Sequence, residues 1–262
     1  MKSESVVKID VTDGASIPVR KDAGLFTAWR TAFFGSLATI AYLLVSRPDP
    51  YWKILKFLPD GIVVTFEVTV AAISCSLVLG LVTGIGRISR NRFVNAIAST
   101  YVEVIRGIPL LVQLFYIYYA LGRFLRVPDI VAAVVAMSVC YGAYMGEVFR
   151  AGIESIDKGQ TEASRSLGFS RGQTLVYVIL PQAWRTILPP VGNEFIALLK
   201  DTSLVSILAV ADMLRRGREY ASETFAYFET YTMIALLYLV ITLVLSKGVS
   251  LMEEKLSYYG ER

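Results

Sequence analysis

The chain has 262 residues, 55% of them hydrophobic and only 18% charged, with a mean hydropathy of +0.54, a balance that sits badly with a soluble domain and points to the bilayer as solvent. His is absent, which removes the commonest general base and metal ligand. The net charge of +4 is assigned to membrane loops and not to a nucleic-acid partner.

Residues 1–28 are polar and mixed in charge, with Gly14 and Pro18, and read as a cytoplasmic N-terminal segment. Residues 29–46 read as an extra transmembrane helix. The apolar run Thr31 to Ser46 reaches spanning length when extended back through Trp29 and Arg30, with Trp at the interface and Arg snorkelling to the headgroups. No small-x-small cleavage site follows; the chain runs into Arg47-Pro48-Asp49-Pro50, so an uncleaved helix is preferred to a signal peptide. Five further runs approach the roughly 20 residues that cross about 30 Å of hydrocarbon. They lie at Leu58 to Ile85, Ile108 to Phe124, Ile130 to Phe149, Val178 to Leu199 and Tyr227 to Val249. Cys75 and Cys140 fall in such runs and read as small core residues, with no disulfide framework.

Gly80, Gly84 and Gly86 have small-xxx-small spacing, which lets another helix approach closely, although glycine is also simply frequent in membrane helices. Arg87 to Gly107 and Arg150 to Tyr177 are polar connectors. Six spans put both termini and both connectors on one side. That side holds 16 of the 26 Lys and Arg residues against nine on the other, with Arg185 inside a helix. The positive-inside rule makes it cytoplasmic.

The second connector reads Glu162-Ala163-Ser164-Arg165-Ser166-Leu167-Gly168 and, nine residues later, Val178-Ile179-Leu180-Pro181. Ala163, Ser166 and Leu167 fall at i, i+3, i+4 and predict the small apolar face of a short helix, with Glu162 and Arg165 on its polar face. Gly168 is placed as its C′ residue. So short a helix buries too little to stand alone and is expected to dock onto something, the alternative being an ordinary solvated turn.

With those spacings, the stretch resembles the EAA loop of ABC import permeases: E-A-A, three residues, G, nine residues, I-x-L-P. Ser164 replaces the second Ala and Val178 the Ile. From about residue 58 to 255 the chain resembles the polar amino acid permease group, which includes histidine, glutamine and arginine permeases. The resemblance is carried by Glu103-x-x-Arg106-Gly107-Ile108-Pro109-Leu110-Leu111-Val112-Gln113, by Pro189-Pro190-Val191-Gly192-Asn193-Glu194-Phe195, and by Leu199-Lys200-Asp201-Thr202-Ser203-Leu204.

The resemblance implies an all-α membrane protein, a type I ABC importer permease with a five-helix core over 58–255, to which the helix at 29–46 is an addition. It implies that the loop 150–177 carries a coupling helix seated in a groove of the nucleotide-binding subunit, with Glu162, Ala163, Ser164, Leu167 and Gly168 as the coupling residues. The implied partners are an ABC ATPase dimer, an identical or paralogous permease subunit, an extracytoplasmic substrate-binding protein, membrane lipid and an amino-acid substrate. No cofactor is expected on this chain, ATP and Mg belonging to the partner ATPase. The implied location is the inner membrane of a prokaryote, with both termini cytoplasmic by the charge count.

Glu194 and Asn193 lie in a predicted span, where a charge costs about 2.5–3.5 kcal/mol on insertion scales. They are candidates for the substrate pathway, Glu194 receiving a substrate ammonium, or else for a structural contact with another helix. No second carboxylate stands one turn earlier, where Val191 lies. Glu103 with Arg106, and Glu147 with Arg150, are spaced i, i+3 and are expected to pair locally, the alternative for Glu103 and Arg106 being substrate binding. Pro109, Pro181, Pro189 and Pro190 mark helix starts or kinks whose freed backbone groups face a cavity. Tyr116, Tyr118 and Tyr119 read as packing rather than a substrate cage. The chain has no G-x-x-x-x-G-K-[ST], so ATP hydrolysis is expected elsewhere. Two other classes compete: an ion-driven secondary transporter, which predicts inverted repeats that the sequence does not display, and a scaffold without a pathway.

Overall fold

The computed structural model describes residues 27–124 and 127–258. The polar lead-in expected over 1–28 therefore lies, up to residue 26, outside the described residues. The described residues are helical, with no strand, in the order α1 Ala28–Ser46, α2 Pro48–Phe57, α3 Pro59–Arg87, α4 Arg92–Gly107, α5 Leu110–Phe124, α6 Asp129–Glu154, α7 Lys158–Ser166, α8 Arg171–Gln173, α9 Leu180–Asp201, α10 Met213–Thr224 and α11 Tyr227–Tyr258. A π-helical turn, Thr174–Ile179, joins α8 to α9, and a 3-10 turn, Thr202–Leu208, follows α9.

Among the described residues α1, α3, α6 and α11 are long and apolar enough to cross a membrane, and α4 with α5 forms a further pair bent by 109°. The run expected at Val178 to Leu199 is a continuous helix, α9. Gln182, Arg185, Asn193, Glu194, Lys200 and Asp201 make it too polar to qualify by composition. The polar connector expected at Arg87 to Gly107 is itself mostly helix, α4, started by the Asn91 side chain, which accepts from the Phe93 N–H at 2.9 Å.

The main core lies between α3, α5, α6 and α9, around Val68, Met137, Met145, Ile187 and Leu198. Glycine sets its closest approach. A Cβ at Gly80 would stand 2.3 Å from the Met145 Cβ, and one at Gly84 would stand 2.7 Å from the Phe149 Cβ, so α3 and α6 pack backbone to backbone. The small-xxx-small reading holds for both, while Gly86 serves α4, facing Ala98. Hydroxyls join the same seam: Ser76 donates to the Ser138 carbonyl and Ser138 to the Ala72 carbonyl, each at 3.3 Å, keeping polar groups satisfied away from water.

A second core, around Tyr51, Ile54, Leu58, Met213, Tyr220, Met233 and Ile234, joins α2, α10 and α11. α1 runs along α11 at the edge of the second core, against which its Ile40, Leu43 and Leu44 pack, and the Trp29 indole N–H donates to the Leu243 carbonyl at 2.8 Å while its ring stacks on Phe33. Trp29 thus fastens one helix to another, a role beyond the interface anchoring expected of it. The cysteines divide: Cys140 is buried as expected, but Cys75 is exposed on α3, which corrects its reading as a core residue.

Candidate functional site

Two regions carry the residues singled out by sequence: a cavity between α4, α6 and α9, and the short helix α7 with its junction to α9.

The cavity is an open cleft of about 340 Å³ lined by Arg106, Tyr144, Glu147, Thr186, Pro190 and Glu194 with small neighbours from α6. Helix α9 reaches it because Gly152 leaves room for Ile187, whose Cγ1 would stand 2.3 Å from a Cβ there. Pro189 and Pro190 have no N–H, so the carbonyls one turn back, on Arg185 and Thr186, lose their helical donors. Thr186 and Pro190 lie on the cavity wall.

The charges around the cleft differ in how far they are engaged. Glu147 pairs with Arg150, as its spacing predicts, and also with Arg87 across from α3, while Arg150 reaches on to Glu154. Arg106 does not pair with Glu103. Its guanidinium lies over the Tyr144 ring, 5.3 Å from the centroid, and Glu103 instead approaches Arg87 at 4.0 Å. The helix-local pairing was expected because it considered α4 alone, whereas α4 packs on α3 and α6, whose groups compete for both residues. Glu194 makes no hydrogen bond or ion pair within 4.0 Å among the described residues. Arg106 and Glu194 thus face one cavity with opposite charges and no direct pairing within 4.0 Å. Asn193 is exposed and does not line it. Sequence reasoning singled out Glu194 but gave Arg106 a local role and missed Tyr144. No spacing rule connects residues 38 apart on different helices.

Asp201 lies two turns along α9 from Glu194, and its carboxylate accepts from the Tyr141 hydroxyl at 2.7 Å, off the cavity wall. Tyr116 and Tyr119 are exposed, and Tyr118 donates to Asp129 at 2.8 Å; none of the three lines the cleft.

Helix α7 begins at Asp157, whose side chain accepts from the Gly159 N–H at 2.7 Å. It ends in a Schellman motif: the Gly168 N–H donates to the Arg165 carbonyl at 3.1 Å and the Phe169 N–H to the Ser164 carbonyl at 3.2 Å. Gly168 has φ +89, as the predicted C′ position demands. A Cβ there would meet nothing within 4 Å, so the need for glycine is backbone strain and not space. The face expected to be apolar is the outer one. Glu162, Ala163 and Gly168 are exposed and Leu167 is 79% exposed. The side turned inward carries Ser164, only 4% exposed, which bonds Thr174 of the π-helical turn at 3.1 Å. The connection onward is firm: Ser170 and Gln173 form a capping box, and the π-helical turn feeds into Pro181 at the start of α9. α7 is thus joined through one short strut to the helix that carries Glu194. Among the described residues, no group of three or more His, Cys, Asp or Glu could hold a metal ion.

Residues 76–258 match the family described as binding-protein-dependent transport system inner membrane component. The chain is 41% identical over 198 residues to the glutamine transport system permease protein GlnP of Escherichia coli (strain K12), covering 74% of this chain and 90% of that protein. It is 36% identical over 204 residues to the arginine transport system permease protein ArtQ of Bacillus subtilis (strain 168), covering 77% and 93%. A crystal structure of an amino acid ABC transporter with histidines superimposes with a TM-score of 0.73 at 41% identity, over 78% of this chain and 95% of that one. An inward-facing structure of the MetNI methionine ABC transporter shares the fold, with a TM-score of 0.64 at 19% identity over 76% of this chain and 98% of that one.

Proposed function

The chain belongs to the family of binding-protein-dependent transport system inner membrane components, and from that premise we propose that it is the membrane-embedded permease of an ABC importer for amino acids. In this reading Arg106 receives the carboxylate and Glu194 the ammonium of a cargo in the cleft, each by a charge-assisted hydrogen bond. Asn193, exposed on the same helix, is left for the side of the pathway closed by a second permease, identical or paralogous. An extracytoplasmic binding protein delivers the cargo. An ATPase dimer, holding ATP and Mg, supplies the work, since this chain carries no phosphate-binding loop of its own. The loops bearing α7 face the cytoplasm, where the excess of Lys and Arg places them. The helix at 28–46 lies beyond the region that matches the family, and we assign it no part in transport.

The observation that carries the coupling reading is the outward face of α7. Glu162, Ala163 and Leu167 are left uncovered on a helix of nine residues that is too short to be stable alone. Its tether, through Ser164 and Thr174 to α9, leads to the cavity wall. A push on α7 would therefore be felt at Glu194, which suits a rocking change between inward-facing and outward-facing arrangements.

The test is substitution of Gly168 in the transporter assembled with its ATPase and binding protein. Gly168→Val must take up φ +89 at a β-branched residue, costing on the order of 1–2 kcal/mol, whereas Gly168→Asn pays less. We expect the Val form to reach the membrane and lose ATP-coupled uptake, and the Asn form to keep a large part of it. Normal coupled uptake by Gly168→Val would contradict the reading.

A further inference from the structure

The bend between α4 and α5 raises a question of bookkeeping that the proposed function does not answer. A helix ending at Gly107 should leave its last carbonyls to be capped by donors further along the chain. For Ile105 that donor would be the N–H of residue 109, but residue 109 is Pro and has none. What remains is the Ile108 N–H, at a long 3.4 Å. For Ile108 the donor would be the Val112 N–H, which bonds the Pro109 carbonyl at 3.0 Å instead. Two carbonyls at a sharp break are thus stripped of their ordinary partners.

One side chain replaces both. The amide nitrogen of Gln113 donates to the Ile105 carbonyl at 2.6 Å and to the Ile108 carbonyl at 2.7 Å, using both of its hydrogens. The backbone N–H of Gln113 also turns back to the Pro109 carbonyl at 3.1 Å. Gln113 is only 4% exposed, and its side-chain oxygen has no partner among the described residues, so the two carbonyls alone dictate how the amide is turned. Between the two clamped carbonyls stands Arg106, whose guanidinium lies over Tyr144 and lines both the main cleft and a neighbouring cavity of about 260 Å³ beside Glu103.

We propose that Gln113 is the positioning residue of the cargo cleft: by clamping the carbonyls of Ile105 and Ile108 across the α4–α5 break, it holds Arg106 in the orientation that meets the substrate. Gln113 does not line the cleft and touches no cargo. Its effect is on where α4 ends and hence on where the Arg106 side chain begins. The assignment rests on the reading of the cleft as the cargo site.

The experiment uses the transporter assembled with its ATPase and binding protein in liposomes and has two arms. In the first, spin labels are placed at Phe93 on α4 and Tyr119 on α5, both exposed, with Cys75→Ser and Cys140→Ala removing the native thiols. Gln113→Met, of similar volume but without donors, should broaden the label-to-label distance distribution; an unchanged distribution overturns the proposal. In the second, uptake of L-glutamine and L-arginine is measured in a double-mutant cycle. Gln113→Met should lower uptake on the order of tenfold in the native background and less than about twofold further in an Arg106→Gln background, because contacting residues are not additive. An equal loss in both backgrounds would mean a merely structural role and would also overturn the proposal. Should the Met form not reach the membrane, Gln113→His keeps a ring N–H and should give an intermediate distance distribution, with a wild-type distribution again counting against the clamp. Harmlessness of Arg106→Gln alone would instead sink the cleft reading, while the distance arm still judges the clamp.

Discussion

Arg106 and Glu194 are the pair on which the cargo reading turns. Each lines the cleft, and neither has an ion-pair partner within 4.0 Å among the described residues. Their charges are opposite in sign, as are those of a zwitterionic cargo in the proposed function. Arg106 is exposed in the open cleft, so the figure that applies is that of a hydrogen bond to a charged group, about 1.5–3 kcal/mol. Arg106→Gln and Glu194→Gln should therefore each lower amino-acid uptake by about tenfold or more. ATP turnover of the assembled complex gives the control, because it should survive both changes. Glu147→Gln should differ: its carboxylate is held by Arg87 and Arg150, so its loss should show first as lower thermal stability.

Asp212 offers a second residue-scale test, outside the spans. It is fully buried and starts α10 by accepting from the Leu214 and Arg215 N–H groups. Burial pushes its carboxyl up to about 6 from the ordinary 3.8, against the pull of those two N–H groups and of Arg218 and Arg215. Between those values the folded chain keeps a proton that the unfolded chain has lost. The stabilisation is thus full below about pH 4 and is lost as pH rises through 6, on the order of 3 kcal/mol in all. The thermal midpoint should fall between pH 5 and pH 7.5. Asp212→Asn, which keeps a capping oxygen without the charge, should flatten that dependence and be the more stable form at pH 7.5.

Among the elements, the seam between α3 and α6 is the most exacting. Gly80→Ala would put a Cβ 2.3 Å from the Met145 Cβ and 2.9 Å from backbone, so the helices must part. Overpacking of this kind costs about 1–3 kcal/mol. Gly35→Ala on α1, where a Cβ meets nothing within 4 Å, is the matched control and should leave the thermal midpoint unchanged. This seam was legible in the sequence because spacing within one helix reports its own face. Its counterpart on α6, Gly142 and Gly146, has the same spacing and was equally legible, though only the structure shows that they receive Leu79 and Thr83. α7 with its Gly168 stop was legible for the same local reason. The inward contact was not: Ser164 turns inward to Thr174, ten residues on, while Leu167 stays outside, as a face expected to dock elsewhere would. Helices α2 and α10 escaped notice because their charged residues broke the apolar runs by which membrane helices are recognised. Arg216 shows how those charges are accommodated, pairing with Asp60 and Glu219 while lying over the Phe57 ring.

The described residues form a main core that carries the cleft and a second core that braces α10 and α11, with α1 packed on the edge of the second through Ile40, Leu43 and Leu44. Truncation before Pro48 removes α1 with the residues that precede it, takes only those edge contacts from the second core, and should lower the thermal midpoint slightly while uptake persists. Truncation before Pro59 also strips α2, uncovers Met213, Tyr220, Met233 and Ile234, and should lower the yield of folded transporter in the membrane. In the proposed function, work done on α7 becomes passage of an amino acid beside Arg106 and Glu194. The most direct test is uptake of L-glutamine and L-arginine into liposomes bearing the chain with its ATPase and binding protein, with and without ATP and with any ion gradient collapsed. Accumulation should require ATP and both partners and should disappear in Gly168→Val. Accumulation that persists without ATP, or that follows an imposed ion gradient, would contradict the proposed function.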